Sequence, residues 1–269
     1  MVSANSLRRV TRRLALVILL ALAAGGYVYS QLPQSFVRGY DRLVADLQSK
    51  RQPPKDTEFV FARVRFTSNG PGRGPGYDHR TPGWSHDYPS SEEHILGIAS
   101  EVTNVNLNKE SHVIVDLDSD ELFKYPFAYF SEVGEMTMTD KEVDNLREYL
   151  DRGGFIIMDD FDNPSFDWFT REMARVFPHR EFVRLTNGHP LFRTFYEIDD
   201  INIDPPYEQP GRPGFVGYHD ERGRLLIVGN VNNDFGDYWE WIDQPQYPLA
   251  PGTAALRFGV NYLLYGMTH

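Results

Sequence analysis

The sequence predicts an α/β fold: a three-layer domain with a mainly parallel sheet, helices on both faces, and a C-terminal hairpin extending it. Three observations carry this expectation. From Glu58 onward, short runs rich in β-formers alternate with helix-length segments of apolar periodicity, the pattern of crossover connections between parallel strands. Phe155-Ile156-Ile157-Met158, after the Gly153-Gly154 helix stop, reads as a buried strand. Hydrophobic residues make up 41% of the 269-residue chain and aromatics 14%, enough to fill such a core.

The elements follow in order. Glu58 to Phe66 reads as the first strand, and Ser90 with Glu93 as a capping box before a helix burying Ile95, Ile98, Ala99 and Val102. His112 to Leu117 and Pro126 to Phe130 are the next strands. Thr139 and Glu142 cap a helix with an apolar face of Val143, Leu146, Tyr149 and Leu150, which Gly153 and Gly154 stop. Phe155 to Met158 is a fourth strand, Phe166 to Phe177 a helix ended by Pro178, and Glu181 to Leu185 a fifth strand. Gly214 to His219 and Arg224 to Gly229 flank Asp220-Glu221-Arg222-Gly223, a hairpin signal, and a helix from about Thr253 to Met267 closes the chain.

The domain so defined spans residues 57–269. Residues 1–30 read as a signal peptide or an N-terminal membrane anchor, because Arg8 to Arg13 form a basic region before the apolar run Leu14 to Ala24. Residues 31–56 read as a helical stalk, with Phe36, Tyr40, Leu43, Val44 and Leu47 at helical spacing before Pro53 and Pro54. An exported protein is the expectation, periplasmic or tethered to the inner membrane by an uncleaved N-terminal segment. Membrane contact is expected through that segment alone. The net charge of −11 repels polyphosphate backbones and argues against nucleic-acid binding. With no cysteine in the chain, disulfides, thiolate metal sites and cysteine nucleophiles are excluded.

Several motifs invite a function and fall to simpler readings. Gly70, Gly72, Gly74 and Gly76 resemble a phosphate loop, but Pro71 and Pro75 remove backbone donors and no helix follows directly. Asp116, Asp118 and Asp120 resemble a calcium loop, yet Glu121 and Phe127 stand where its glycine and bidentate glutamate belong. His189 lacks a second histidine at metal spacing.

The stronger candidates lie where the strands end. Asp159 and Asp160 close the fourth strand, where open α/β sheets bind ligands, and Ser131 and Glu132 close the third. Asp159, Asp160 and Glu132 are the candidate catalytic acids. Trp84, His86 and Asp87 are candidate binding residues on a loop over the rim; Ser85, His86 and Asp87 are too close in sequence to form a triad. Asn230, Asn232, Asn233, Asp234 and Trp239 form a polar and aromatic surface suited to a sugar or a peptide, or else a set of turn and core anchors. No cofactor is expected and no residue is assigned as a metal ligand.

Gly83-Trp84 with Asp87-Tyr88-Pro89, Tyr125-Pro126-Phe127, Arg152-Gly153-Gly154-Phe155 with Asp159-Asp160-Phe161, His189-Pro190-Leu191-Phe192, Asn232-Asn233-Asp234 with Trp239-Glu240-Trp241, and Asn261-Tyr262 to Met267-Thr268-His269 together resemble the bacterial family called domain of unknown function 4159. The resemblance covers about residues 57–269. It implies a class I glutamine amidotransferase-like (flavodoxin-like) fold, in which the turn after the strand ending at Asp159 would hold a nucleophilic cysteine. Here that turn holds acids, so the thioester mechanism is lost. The resemblance also implies envelope partners: membrane proteins with von Willebrand A-type domains and MoxR-type ATPases.

Two functions are expected from these residues. The first is a non-catalytic envelope module that binds through the rim. The second is a carboxylate- or metal-dependent hydrolase using Asp159 and Asp160.

Overall fold

The computed structural model describes residues 51–68, 83–207, 211–245 and 247–269. The signal segment, most of the stalk and most of the glycine-rich loop lie outside the described residues. Among those described, no helix is long and apolar enough to cross a membrane.

Seven strands form one sheet: β1 (Phe61–Arg65), β2 (His112–Asp116), β3 (Phe127–Ser131), β4 (Phe155–Phe161), β5 (Val183–Arg184), β6 (Gly214–His219) and β7 (Leu225–Val231). They lie in the order β2-β1-β3-β4-β7-β6-β5. β1 pairs parallel with β2 and β3, β3 with β4, and β4 with β7. β6 runs antiparallel to β7 and β5 to β6, so the hairpin extends the sheet beyond β4. The first five strands in this order follow the flavodoxin-like sequence 2-1-3-4-5, whose ligand crevice opens at the β1/β3 reversal.

The helices are α1 (Ser90–Val102), α2 (Asp140–Asp151), α3 (Asn163–Val176), α4 (Phe235–Glu240) and α5 (Leu249–Thr268). The period-2 alternation of the strands sorts the core into two halves. Ala128, Phe130, Ile156 and Met158 pack with Leu146 of α2 and Phe169 and Met173 of α3. Phe127, Tyr129, Phe155 and Ile157 pack with Ile95 of α1, Trp239 of α4 and Phe258 of α5. The sheet is thus covered on both faces, giving three layers.

Local chemistry explains most boundaries and corrects some. Thr139 Oγ1 accepts from Glu142 N (3.2 Å) and the Glu142 carboxylate from Thr139 N (2.7 Å), a reciprocal capping box. Gly153 (φ +107°) supplies the left-handed residue after α2. At α1 the expected box is absent: Pro89 is the N-cap without a side-chain hydrogen bond, and Ser90 lies inside the helix. Ser91 and Glu92 of this helix instead turn inward to Arg63. α3 starts earlier than its apolar pattern, because Asp162 accepts from Ser165 N (2.8 Å) and Pro164 fits the first turn. α5 likewise starts at Leu249 rather than Thr253. β5 keeps only two exposed residues of the expected five. β4 runs past Met158 to Phe161 with a register shift against β7, and Asp160 takes φ +54° within it. Helix α4, six residues long, lacks a legible period in the sequence.

Candidate functional site

Four segments at the carboxyl ends of parallel strands converge. His86 and Asp87 lie on the connection after β1, Glu132 follows β3, Asp159 and Asp160 end β4, and Asp234 and Asp237 follow β7. All of these except His86 are buried. Tyr207, on the stretch between β5 and β6, reaches the same place.

The two β4 acids have separate fates because the strand leaves regular pairing between Met158 and Phe161, with Asp160 in the left-handed region. Asp159 turns into the fold. Its Oδ2 accepts from Tyr129 OH (2.7 Å), Phe235 N (2.9 Å) and Gly236 N (2.8 Å), and its Oδ1 from Asn230 Nδ2 (2.9 Å). Tyr262 OH donates in turn to Asn230 Oδ1 (2.8 Å). Asp159 therefore fastens the start of α4 to the sheet. Burial pushes its carboxyl up to about 6, although these donors work to lower it. Ser131, its partner in register on β3, is buried, and its hydroxyl makes no hydrogen bond among the described residues.

Asp160 turns toward an acidic basin. Its Oδ2 lies 2.9 Å from His86 Nδ1 and its Oδ1 accepts from Tyr207 OH (2.9 Å). Tyr207 OH also stands 3.2 Å from Asp234 Oδ2. His86 Nδ1 is 3.4 Å from Asp87 Oδ1 and 3.8 Å from Glu132 Oε1. Asp234 serves a second purpose as N-cap of α4, accepting from Asp237 N (2.8 Å).

Two of the basin acids have oxygens that meet no hydrogen-bond donor among the described residues. They are Asp87, at both carboxyl oxygens, and Asp237, at Oδ1. Asp87 keeps the His86 ring as its ion-pair partner, and burial with the neighbouring acids raises the Asp87 and Asp237 carboxyls. Burial, then Asp160 and Asp237, raises Asp234 as well. His86 lies among these acids: burial works to lower it, but Asp87, Asp160 and Glu132 hold it well above its usual range.

The backbone is strained at the same place. Among the described residues, the non-glycine positions in the left-handed region are Asp87, Glu132, Asp160 and Asn232, three of them basin acids. Such conformations cost on the order of 1 kcal/mol or more each and persist where surrounding structure over-determines them. Here the support is visible. Buried Arg63 donates from Nε to Glu92 Oε1 (2.6 Å) and from Nη1 to the carbonyls of Trp84 (3.2 Å) and His86 (2.9 Å). Its guanidinium also lies over the Tyr129 ring at 4.5 Å.

The structure thus brings His86, Asp87, Glu132, Asp160 and Asp234 together. The other sequence candidates spend their groups inside the fold. Trp239 is buried and donates to Ala255 O (3.1 Å); Trp84 is buried with Arg65 over its ring. Asn232 bridges Asn163 N and Arg212 O, and Asn233 bridges Asp234 N and Ile203 O. Sequence reasoning missed Arg63, Tyr129, Tyr207 and Asp237. Only Arg63 carried a signal, as a charge inside an apolar strand.

Three donor sets in this region could take a cation: His86-Glu132-Asp160, His86-Asp87-Asp234 and Asp87-Asp237-Glu240, each with ligand atoms within 4.8 Å of one another. A separate cavity of about 570 Å³, lined by Gly188, Pro190, Arg193, Thr194, Leu264, Thr268 and His269, shares no residue with the basin.

No curated protein matches this chain. A family model does: residues 61–267 match the Domain of unknown function (DUF4159), and the chain belongs to that family.

Proposed function

We propose that this domain is a non-catalytic binding module of the bacterial envelope that takes up a positively charged ligand in the basin around His86. The observation that carries the reading is the crowding of buried acids in that basin. Asp87, Glu132 and Asp160 face His86, Asp234 and Asp237 lie beside them, and among the described residues neither oxygen of Asp87 meets a hydrogen-bond donor. Buried charge of one sign is costly unless paired, so a cationic group entering the basin relieves repulsion as well as forming contacts. Asp159, at the position where related folds are expected to carry a nucleophile, has its lone pairs engaged by four donors. That supports binding over covalent catalysis.

Export belongs to the same proposal. It is supported by the arginines at Arg8 to Arg13 followed by the apolar run Leu14 to Ala24. By family resemblance, membrane proteins with von Willebrand A-type domains and MoxR-type ATPases are the partners to test. A second reading, carboxylate-dependent hydrolysis, has one observation in its favour: Asp160 and His86 stand within hydrogen-bond distance at 2.9 Å, as an acid–base pair would.

Calorimetric titration of the full chain with spermidine and with divalent chlorides tests the binding reading. Saturable binding that Asp160→Asn weakens is the expected result. Absence of binding by every cationic probe overturns it.

A further inference from the structure

We propose that His189 and His219 form an acid-sensitive latch on the strap between β5 and β6, the stretch that reaches the basin at Tyr207. When the two rings take up protons, the turn Pro190–Arg193 loses its cap and the strap opens. The latch shares no residue with the basin and does not depend on what the basin binds.

The first argument is the cap. His189 is the N-cap of the 3₁₀ turn Pro190–Arg193, and its Nδ1 accepts from Leu191 N (3.2 Å). That bond needs a bare Nδ1, and a protonated ring, a donor at both nitrogens, cannot make it. Losing such an acceptor shifts a helix end toward opening by about tenfold. The second argument is the neighbour. His219 ends β6, and its ring centre lies 5.8 Å from that of His189, with the planes at 62°. No hydrogen bond joins the two rings among the described residues, so two protons there simply repel.

The groups around the pair do little to offset that charge. Asp220 follows His219, but its carboxylate accepts from Arg224 Nε (3.3 Å) and from the amides of Arg222 and Arg224 (2.9 Å each). From α5, Tyr265 faces His189 at 6.5 Å and stacks on His269 at 4.2 Å. On the strap itself, Arg193 pairs with Glu197 (3.5 Å) and Asp199 (2.9 Å). Burial, then His219, lowers His189 below its usual 6.5; burial also lowers His219, against the pull of Asp220. The open strap therefore takes up protons that the closed strap refuses. Closure is full above pH 6.5 and weakens as pH falls through the lowered values.

What the latch holds is continuous with the basin. Phe192 packs on Phe215 (5.1 Å) and Phe258 (5.7 Å), and Asn261 Oδ1 accepts from Phe195 N (3.2 Å) and Tyr196 N (2.8 Å). Farther along, Ile203 O accepts from Asn233 Nδ2 (3.0 Å), and Tyr207 OH donates to Asp160 (2.9 Å). The cavity of about 570 Å³ lies against the latched end, lined by Pro190, Arg193 and Thr194 together with Leu264, Thr268 and His269 of α5. The turn can shift into that space without displacing a packed layer, as low-stability segments do.

The test is hydrogen exchange of the full chain at pH 7 and pH 5, read peptide by peptide by mass spectrometry. The urea-unfolded chain at each pH supplies the intrinsic exchange rate. Peptides within 186–198 are expected to lose about tenfold in protection at pH 5 relative to α2, which reports opening of the whole domain. His189→Asn keeps a capping acceptor that cannot titrate, so it holds protection at pH 7 and loses most of the acid response. His219→Gln leaves the cap untouched and removes the second charge; its acid response is expected to shrink several-fold. Should His189→Asn disturb the strap already at pH 7, the His219→Gln result decides. An acid response of 186–198 no larger than that of α2, or one that His219→Gln leaves unchanged, overturns the proposal.

Discussion

Arg63 offers the sharpest check on how this fold holds its rim. Its guanidinium and the Glu92 carboxylate are both 0% exposed and meet at 2.6 Å. Arg63 also donates to the Trp84 and His86 carbonyls and to Ser91 Oγ. Arg63→Met keeps the apolar stem and deletes the charge. It leaves Glu92 buried without its cation and two carbonyls without their donor. Removing one partner of a buried pair costs about 3–5 kcal/mol, a large fraction of the 5–15 kcal/mol that roughly bounds the stability of a domain. For a domain of this size, each kcal/mol lowers the melting temperature by about 2–4 °C, so a loss on the order of 10 °C is expected. Glu92→Met alone leaves the arginine unpaired and costs a similar amount. The double variant removes both charges and is expected to regain at least about 1 kcal/mol over Arg63→Met. Urea unfolding followed by tryptophan fluorescence measures all four proteins. An Arg63→Met cost below about 1 kcal/mol, or a double variant as damaged as the sum of the singles, would refute the reasoning.

Two further outcomes follow from neighbouring groups. His112 accepts at Nε2 from Arg51 (3.1 Å) and meets Tyr88 OH at Nδ1 (3.2 Å), and burial lowers it from 6.5 to about 4. Between pH 6.5 and 4 the unfolded chain therefore binds a proton that the folded chain refuses. Stability is full above pH 6.5 and falls as pH drops through that window, by up to about 3 kcal/mol from this group; urea unfolding at pH 7 and pH 5 should show the slope, and His112→Phe should flatten it. Asp159→Asn puts an amide where four donors converge, so at least one donor is orphaned and a loss on the order of 3 kcal/mol is expected by thermal melting. A neutral Asp159→Asn would mean that this acid does not fasten α4 to the sheet.

What could be read in the chain, and what could not, divides along the range of the forces involved. Strand and helix order, the Thr139–Glu142 box, the Gly153 stop and the hairpin at Asp220 to Gly223 depend on residues a few positions apart, and they stand in the sequence as patterns. The rim was legible as well, since an acid at the end of a buried strand in a parallel sheet has little else to face. The sequence did not tell Asp159 from Asp160. They are adjacent and chemically identical, and only the bulged end of β4 turns one onto the α4 amides and the other toward His86. Nor did it separate Asp87, whose oxygens meet no hydrogen-bond donor among the described residues, from Asn230, Asn232 and Asn233, whose amides bond within the fold. Those distinctions rest on partners 20 to 77 positions away, brought within 3 Å by packing. By itself the sequence determined a three-layer α/β domain with an acidic rim and no cysteine nucleophile. Tertiary structure decided which acids are fastenings and which crowd together around His86, because only folding sets the distance between a carboxylate and its donor.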